Sequence, residues 1–293
     1  MTTLQTSAAP HRRRSRWRRL GTELRKAPVS AWFGMLVIAA YIFIAIFAPW
    51  LAHYGEAQVI SQPYQPWGGG FPLGTDQLGR DILSRLIYGA RNTLGIAMAT
   101  TLLSFTFGVL LGLVAALNAG WLDQLLSRAV DILMSIPSLI FALLLLAAFG
   151  SSVPNLILIL AVLDATRVFR LTRAVAANVV VMDYIEVARL RGESMAWLMR
   201  REILPNILPP LIAEFGLRFC FVFLSISALS FLGVGIQPPT ADWGSMVREN
   251  AALISYSDVT PLLPAGAIAL LTVSVNFVID WFLHRTSGLR DER

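Results

Sequence analysis

The sequence predicts an all-α protein that crosses a membrane six times. Three observations carry that expectation. Of the 293 residues 56% are apolar and only 14% charged, the apolar residues fall in long runs, and the basic residues collect between runs on alternate sides. A soluble domain carries about 25% charged residues, whereas a hydrocarbon core of about 30 Å asks for about 20 apolar residues per helical crossing. The net charge of +6 could be a nucleic-acid footprint, but the excess sits beside hydrophobic runs. Membrane topology accounts for it, and no nucleic-acid partner is expected.

Residues 1–30 form a basic tail with Arg12, Arg13, Arg14, Arg16, Arg18, Arg19, Arg25 and Lys26. The tail is long for the start of a signal peptide, and no small-x-small cleavage site closes the apolar run before Pro49, so a retained anchor is expected. The first span is 32–51, followed by a polar loop rich in Gly and Pro; together they make a unit at 31–93. A five-helix core is expected over 94–283. Its first span, 94–117, carries Gly108 and Gly112, a small-xxx-small pair that admits close helix approach; the plainer alternative is that glycine is common in membrane helices. The third span is 132–149, with Pro137 near its start, where a kink costs least. The fourth, 153–169, must run through Asp164 and Arg167, three apart on one face and able to pair. The fifth, 211–232, contains Glu214 and Arg218 as an i,i+4 pair, read either as structural or as facing a solute. The sixth is 262–283, with Asn276 and Asp280 toward its end, and residues 284–293 form a tail.

Six spans place both termini on one side. The tail, Arg128, the basic residues from Arg167 to Arg201, and Arg285, Arg290 and Arg293 share that side, against Arg80, Arg85, Arg91 and Arg248 on the other. Basic residues mark the cytoplasm, so both termini are expected there, with membrane lipid around the spans. Chemistry is not expected in this chain. Cys220 is the sole cysteine, and His11, His53 and His284 are scattered without metal-ligand spacing. No nucleophile–base set appears, and no phosphate loop of the form G-x(4)-G-K-[ST].

About 40 residues, 169–209, separate the fourth and fifth spans, and loops of that length in compact folds are usually functional or disordered. Residues 184–191 can form a short amphipathic helix. Gly192 suits the left-handed residue that ends a helix, and Pro205 is a second breaker that should reset the chain direction before the fifth span. Helix, Gly, helix and Pro on the cytoplasmic face make a rigid knob suited to docking into a soluble partner.

These residues resemble the EAA loop of bacterial ABC-importer permeases, E-A-A-x(3)-G-x(9)-I-x-L-P. Glu186, Ala188, Gly192, Leu204 and Pro205 match in register, with Val187 for the second position and Glu202 for the isoleucine. Two further stretches are similar to the dipeptide, oligopeptide and nickel permeases. One is residues 72–91 (PLGTDQLGRDILSRLIYGAR); the other is 230–239 (SFLGVGIQPP) with Trp243-Gly244. The ending at 276–280 (NFVID) fits the same subfamily, and the chain resembles its C-type member over about 32–280. Ile226 stands where relatives often carry Glu, and Phe71 replaces a frequent His.

The resemblance implies the type I ABC-importer permease architecture in a bacterial inner membrane. It implies a coupling role for Glu186, Ala188, Gly192, Leu204 and Pro205. The partners it implies are a second permease subunit, two ATPase subunits that hold ATP and Mg, and an extracytoplasmic solute-binding protein; no cofactor belongs to this chain. Within 72–91, Gly74-Thr75-Asp76 and Gly79-Arg80-Asp81 read as turns, with Asp81 placed to cap a helix. Asp76, Arg80, Asp81, Arg85 and Arg91 are therefore either candidates for docking the binding protein or charges that pair locally. A peptide-like cargo is expected, with nickel the rival within the subfamily. An ion-gradient transporter is less favoured, because no internal repeat is visible.

Overall fold

The computed structural model describes residues 27–286, except Gly69 and Ala119. Both tails read from the sequence fall largely outside the described residues. The chain is helical, and among the described residues the only β features are two isolated bridges, Val59 with Arg80 and Thr75 with Asp81.

Helix α1, Val29–Leu51, leans on the last helix and on the next. Its Leu36, Ile42, Phe43 and Ile46 are exposed, as apolar side chains facing lipid would be. A looped segment leads to α2, Ile82–Leu117, which Asp81 starts by accepting a hydrogen bond from the Ser84 amide at 2.8 Å. That is the capping role read from the sequence. The helix begins well before the expected 94, because residues 82–93 continue its hydrogen bonding outside the apolar window.

The expected third span at 132–149 is not one helix. Residues Trp121–Met134 form α3 and Ser138–Phe149 form α4, and the two meet at 87°. The proline ring of Pro137 disfavours helical backbone at Ile136, so the chain turns there instead of kinking. Helix α5, Val153–Val180, opens at Ser152, whose hydroxyl accepts from the Asn155 amide. It runs past the expected end at 169.

Helix α6 spans Asp183–Leu190. Helical hydrogen bonding then runs from Met195 to Phe231 as one 37-residue element, α7, with a π turn at Leu198–Ile203. Pro205 follows that turn and sits inside the helix. It does not reset the chain as expected: the wider turn absorbs the missing donor. Helix α8, Trp243–Asn250, is capped by Asp242, and α9, Leu262–Thr286, closes the bundle.

Among the described residues four helices are long and apolar enough to cross a membrane: α1, α2, α7 and α9. The α3–α4 elbow makes five if it is taken as one span. The expected count of six therefore rests on α5, whose Asp164, Arg167, Arg170 and Arg173 interrupt its apolar face. The most extensive helix contact is α2 on α5. There a Cβ on Gly108 would lie 2.5 Å from Val168 Cβ, and one on Gly112 would lie 2.8 Å from Thr172 Cβ. The small-xxx-small pair is a packing device here, bringing two backbones together.

Candidate functional site

The coupling residues read from the loop divide by what they touch. Ile185 and Ala188 are fully buried and seat α6 on a cluster with Leu113, Ala176, Leu198, Ile203 and Ile207. Ala188 is therefore a contact residue, where a larger side chain would lift the helix. Leu204 packs at the edge of that cluster. Glu186 and Pro205 are exposed. Gly192 has φ +80°, its amide bonds to the Arg189 carbonyl at 2.9 Å, and the Glu193 amide bonds to the Ala188 carbonyl at 3.2 Å. This pair of bonds is a complete Schellman closure, which needs the left-handed residue at that point. The next helix starts at Ser194, whose hydroxyl accepts from the Trp197 amide.

Around this turn Val181, Met182, Tyr184, Val187 and Leu190 are exposed, Leu190 at 81%. An apolar rim on a firmly seated short helix is a docking surface in form, because large exposed apolar groups are otherwise a solubility cost.

At the opposite end of the molecule, four of the five docking candidates are not on a surface. Asp76, Arg80, Asp81 and Arg85 are each less than 5% exposed. Asp76 accepts from the Leu78 and Arg80 amides and pairs with the guanidinium groups of Arg80 and Arg85. Glu249 of α8 completes a quartet, lying 3.0 Å from Arg80 and 3.1 Å from Arg85. Burial pushes the Glu249 carboxyl up, and the Arg80 guanidinium partly offsets this. The charges pair locally, as the second reading of this segment had it, and they tie residues 76–85 to α8. Arg91 is exposed and lines an apolar cavity of about 650 Å³ with Ile42, Leu94, Phe215 and Phe219. Glu249 carried no sequence signal, since its partners lie far away in the chain.

A second network lies inside the bundle. Arg218 pairs with Glu214 at 2.7 Å and reaches Asp164 at 3.6 Å, while Arg167 lies 3.8 Å from Asp164. Ser104 of α2 donates to Asp164 at 3.2 Å. The two intrahelical pairs read from the sequence thus join across α2, α5 and α7 into one structure. Intramembrane charges persist only when compensated in this way or when they face water.

Comparison with known proteins identifies the family. Residues 108–287 match the family model of binding-protein-dependent transport system inner membrane components. The chain belongs to that family. Residues 15–66 match the N-terminal transmembrane domain of oligopeptide transport permease C. The permease is 36% identical to the di/tripeptide transport system permease protein DppC of Pseudomonas aeruginosa (strain UCBPP-PA14), over 88% of this chain and 85% of that one. It is 38% identical to the dipeptide transport system permease protein DppC of Escherichia coli (strain K12), over 88% and 86%. Among solved structures, a crystal structure of an amino acid ABC transporter with histidines superposes at a TM-score of 0.50 and 23% identity. It covers 69% of this permease and 94% of that chain, and this likeness bears on the fold alone.

Proposed function

We propose that this permease is one of two channel-forming subunits of an ATP-driven importer of peptides. The near full-length match to dipeptide permeases carries the cargo, and the α6–Gly192 turn with its apolar rim carries the coupling. In this reading both termini and α6 face the cytoplasm, as the arginine distribution asks. ATP and Mg are held by two ATPase subunits, whose closure presses on α6. A second permease subunit completes the path, and a solute-binding protein delivers cargo to the face formed by residues 52–81 and α8.

Proteoliposomes containing the assembled complex test the cargo directly. ATP-dependent accumulation of a labelled dipeptide is the expected result. Accumulation of radioactive nickel that excess peptide does not reduce, with no peptide uptake, would overturn it.

The coupling role predicts that Gly192→Val and Glu186→Lys lower solute-stimulated ATP hydrolysis while the spans stay folded. Nothing lies within 4 Å of a Cβ at Gly192, so the cost of valine is the positive φ, about 1–3 kcal/mol, and it falls on the turn alone. Full coupling in both variants at normal expression would remove α6 from the mechanism. A cysteine at position 186, placed in a Cys220→Ala background, should be labelled only from the inside; labelling from outside intact cells would reverse the orientation.

A further inference from the structure

Two arginines of α5 remain open beside the elbow at Pro137. The Arg167 side chain is 42% exposed. It donates weakly to Ser138 Oγ at 3.4 Å and shares Asp164, at 3.8 Å, with Arg218 and Ser104. Arg170 is exposed and makes no ion pair among the described residues; it donates to Met134 Sδ at 3.7 Å. The next arginine down the helix, Arg173, is by contrast held on both nitrogens by Asp123.

An arginine in a membrane-spanning helix faces protein or a water-filled cavity. Cavities are present on this face. One of about 110 Å³ is bounded by Met134, Pro137, Ser138, Thr166 and Arg167. Another of about 320 Å³ is bounded by Ser127, Asp131, Arg170 and Arg173. The break at Pro137 creates the first of them, because the elbow turns α4 away from α3.

We propose that Arg167 and Arg170 form a carboxylate-binding station on the translocation path, which receives the C-terminal carboxylate of a peptide in transit. The proposal rests on the peptide reading above and places its cargo on named residues. The guanidinium fork of Arg167 keeps most of its donors uncommitted, and a planar fork takes a carboxylate through two parallel bonds. Of the neighbouring acids, Asp123 is committed to Arg173 and Glu214 to Arg218, and Asp164 is divided among Arg218, Ser104 and, at 3.8 Å, Arg167. Asp131 lines the cavity beside Arg170 without an ion pair among the described residues, and it suits the ammonium end of the same cargo. Contacts of 3.4–3.8 Å, looser than those of the buried quartet, suit a station that must also release what it holds.

The test uses the assembled complex in proteoliposomes, with radiolabelled dialanine and its C-terminal amide as separate cargoes. Arg167→Gln is expected to cut uptake of the free dipeptide about tenfold relative to wild type, the scale of one lost charge-assisted hydrogen bond, and to leave the amide unchanged. Arg167→Lys should recover most of the loss, because the charge is kept. Arg170→Gln, which breaks no ion pair, should act in the same direction. An equal fall for both cargoes, as expected if a carboxylate of the second permease subunit held Arg167, overturns the proposal; so does no fall at all. A wild-type complex that carries neither cargo refutes the peptide reading and withdraws this ligand with it.

Discussion

Asp76→Ala is expected to destabilise the permease more than any other change at its loop end. Asp76 is the acceptor for two backbone amides and two guanidinium groups. Without it, Arg80 and Arg85 share Glu249 alone, and arginine cannot shed its charge. Arg85 already has Nε and Nη2 buried without hydrogen-bond partners, so it has nothing to fall back on. Breaking a buried ion pair from one side costs about 3–5 kcal/mol, and the orphaned amides add about 1–3 kcal/mol. Asp76→Asn keeps the amide contacts and should lose less. Thermal unfolding of the purified protein in detergent reads the effect, with a fall of at least about 5 °C expected for alanine. A midpoint unchanged from wild type would mean that the quartet does not hold these loops together.

The second large effect is expected at the α2–α5 contact. Gly108→Leu would drive a side chain into Val168 and the Ala165 carbonyl, where a Cβ alone already lies at 2.5 and 2.9 Å. One neighbour is the Ala165 backbone carbonyl and the other is the Cβ of Val168, which moves only with its backbone, so the helices must separate. Overpacking of this kind costs about 1–3 kcal/mol and sometimes more, and here it falls on the largest contact in the bundle. Gly95→Ala, on the same helix with nothing within 4 Å of its Cβ, is the control. It should stabilise by up to about 1 kcal/mol through helix propensity. Equal melting points for the two variants would show that α2 and α5 do not depend on the close approach.

Local chemistry in this chain was legible; relations between distant segments were not. The cap at Asp81, the left-handed turn at Gly192, the glycine pair and the two intrahelical charge pairs are each set by residues within one or two turns, and each was readable. The 132–149 run is mostly apolar, and hydropathy is blind to direction, so it conceals the right-angle break, which Pro137 alone marked. The sequence left docking and local pairing both open for Arg80 and Arg85, because Glu249, which pairs with both, comes from a helix more than 160 residues on. Pro205 misled for the opposite reason. A lone proline argues for a break, yet a single wide turn upstream accommodates it. The match of Glu186, Ala188 and Gly192 to a loop motif marked the short helix and its turn without revealing that Ala188 faces inward.

Because α7 runs as one element from Met195 to Phe231, the proposed coupling would use it as a lever. At 1.5 Å per residue it is about 55 Å long, so a tilt of about 5° at one end sweeps the other by about 5 Å. Its near end carries Leu198 and Ile203, which grip α6, and further along it carries Glu214 and Arg218. Its far half holds Phe223, against which Trp243 of α8 stacks edge-on at 6.1 Å. In the proposed coupling, a push at α6 reaches the charge network and the loop end along this one helix, through the π turn and past Pro209 and Pro210. The 3.6 Å link between Arg218 and Asp164 is the joint such a stroke would open first.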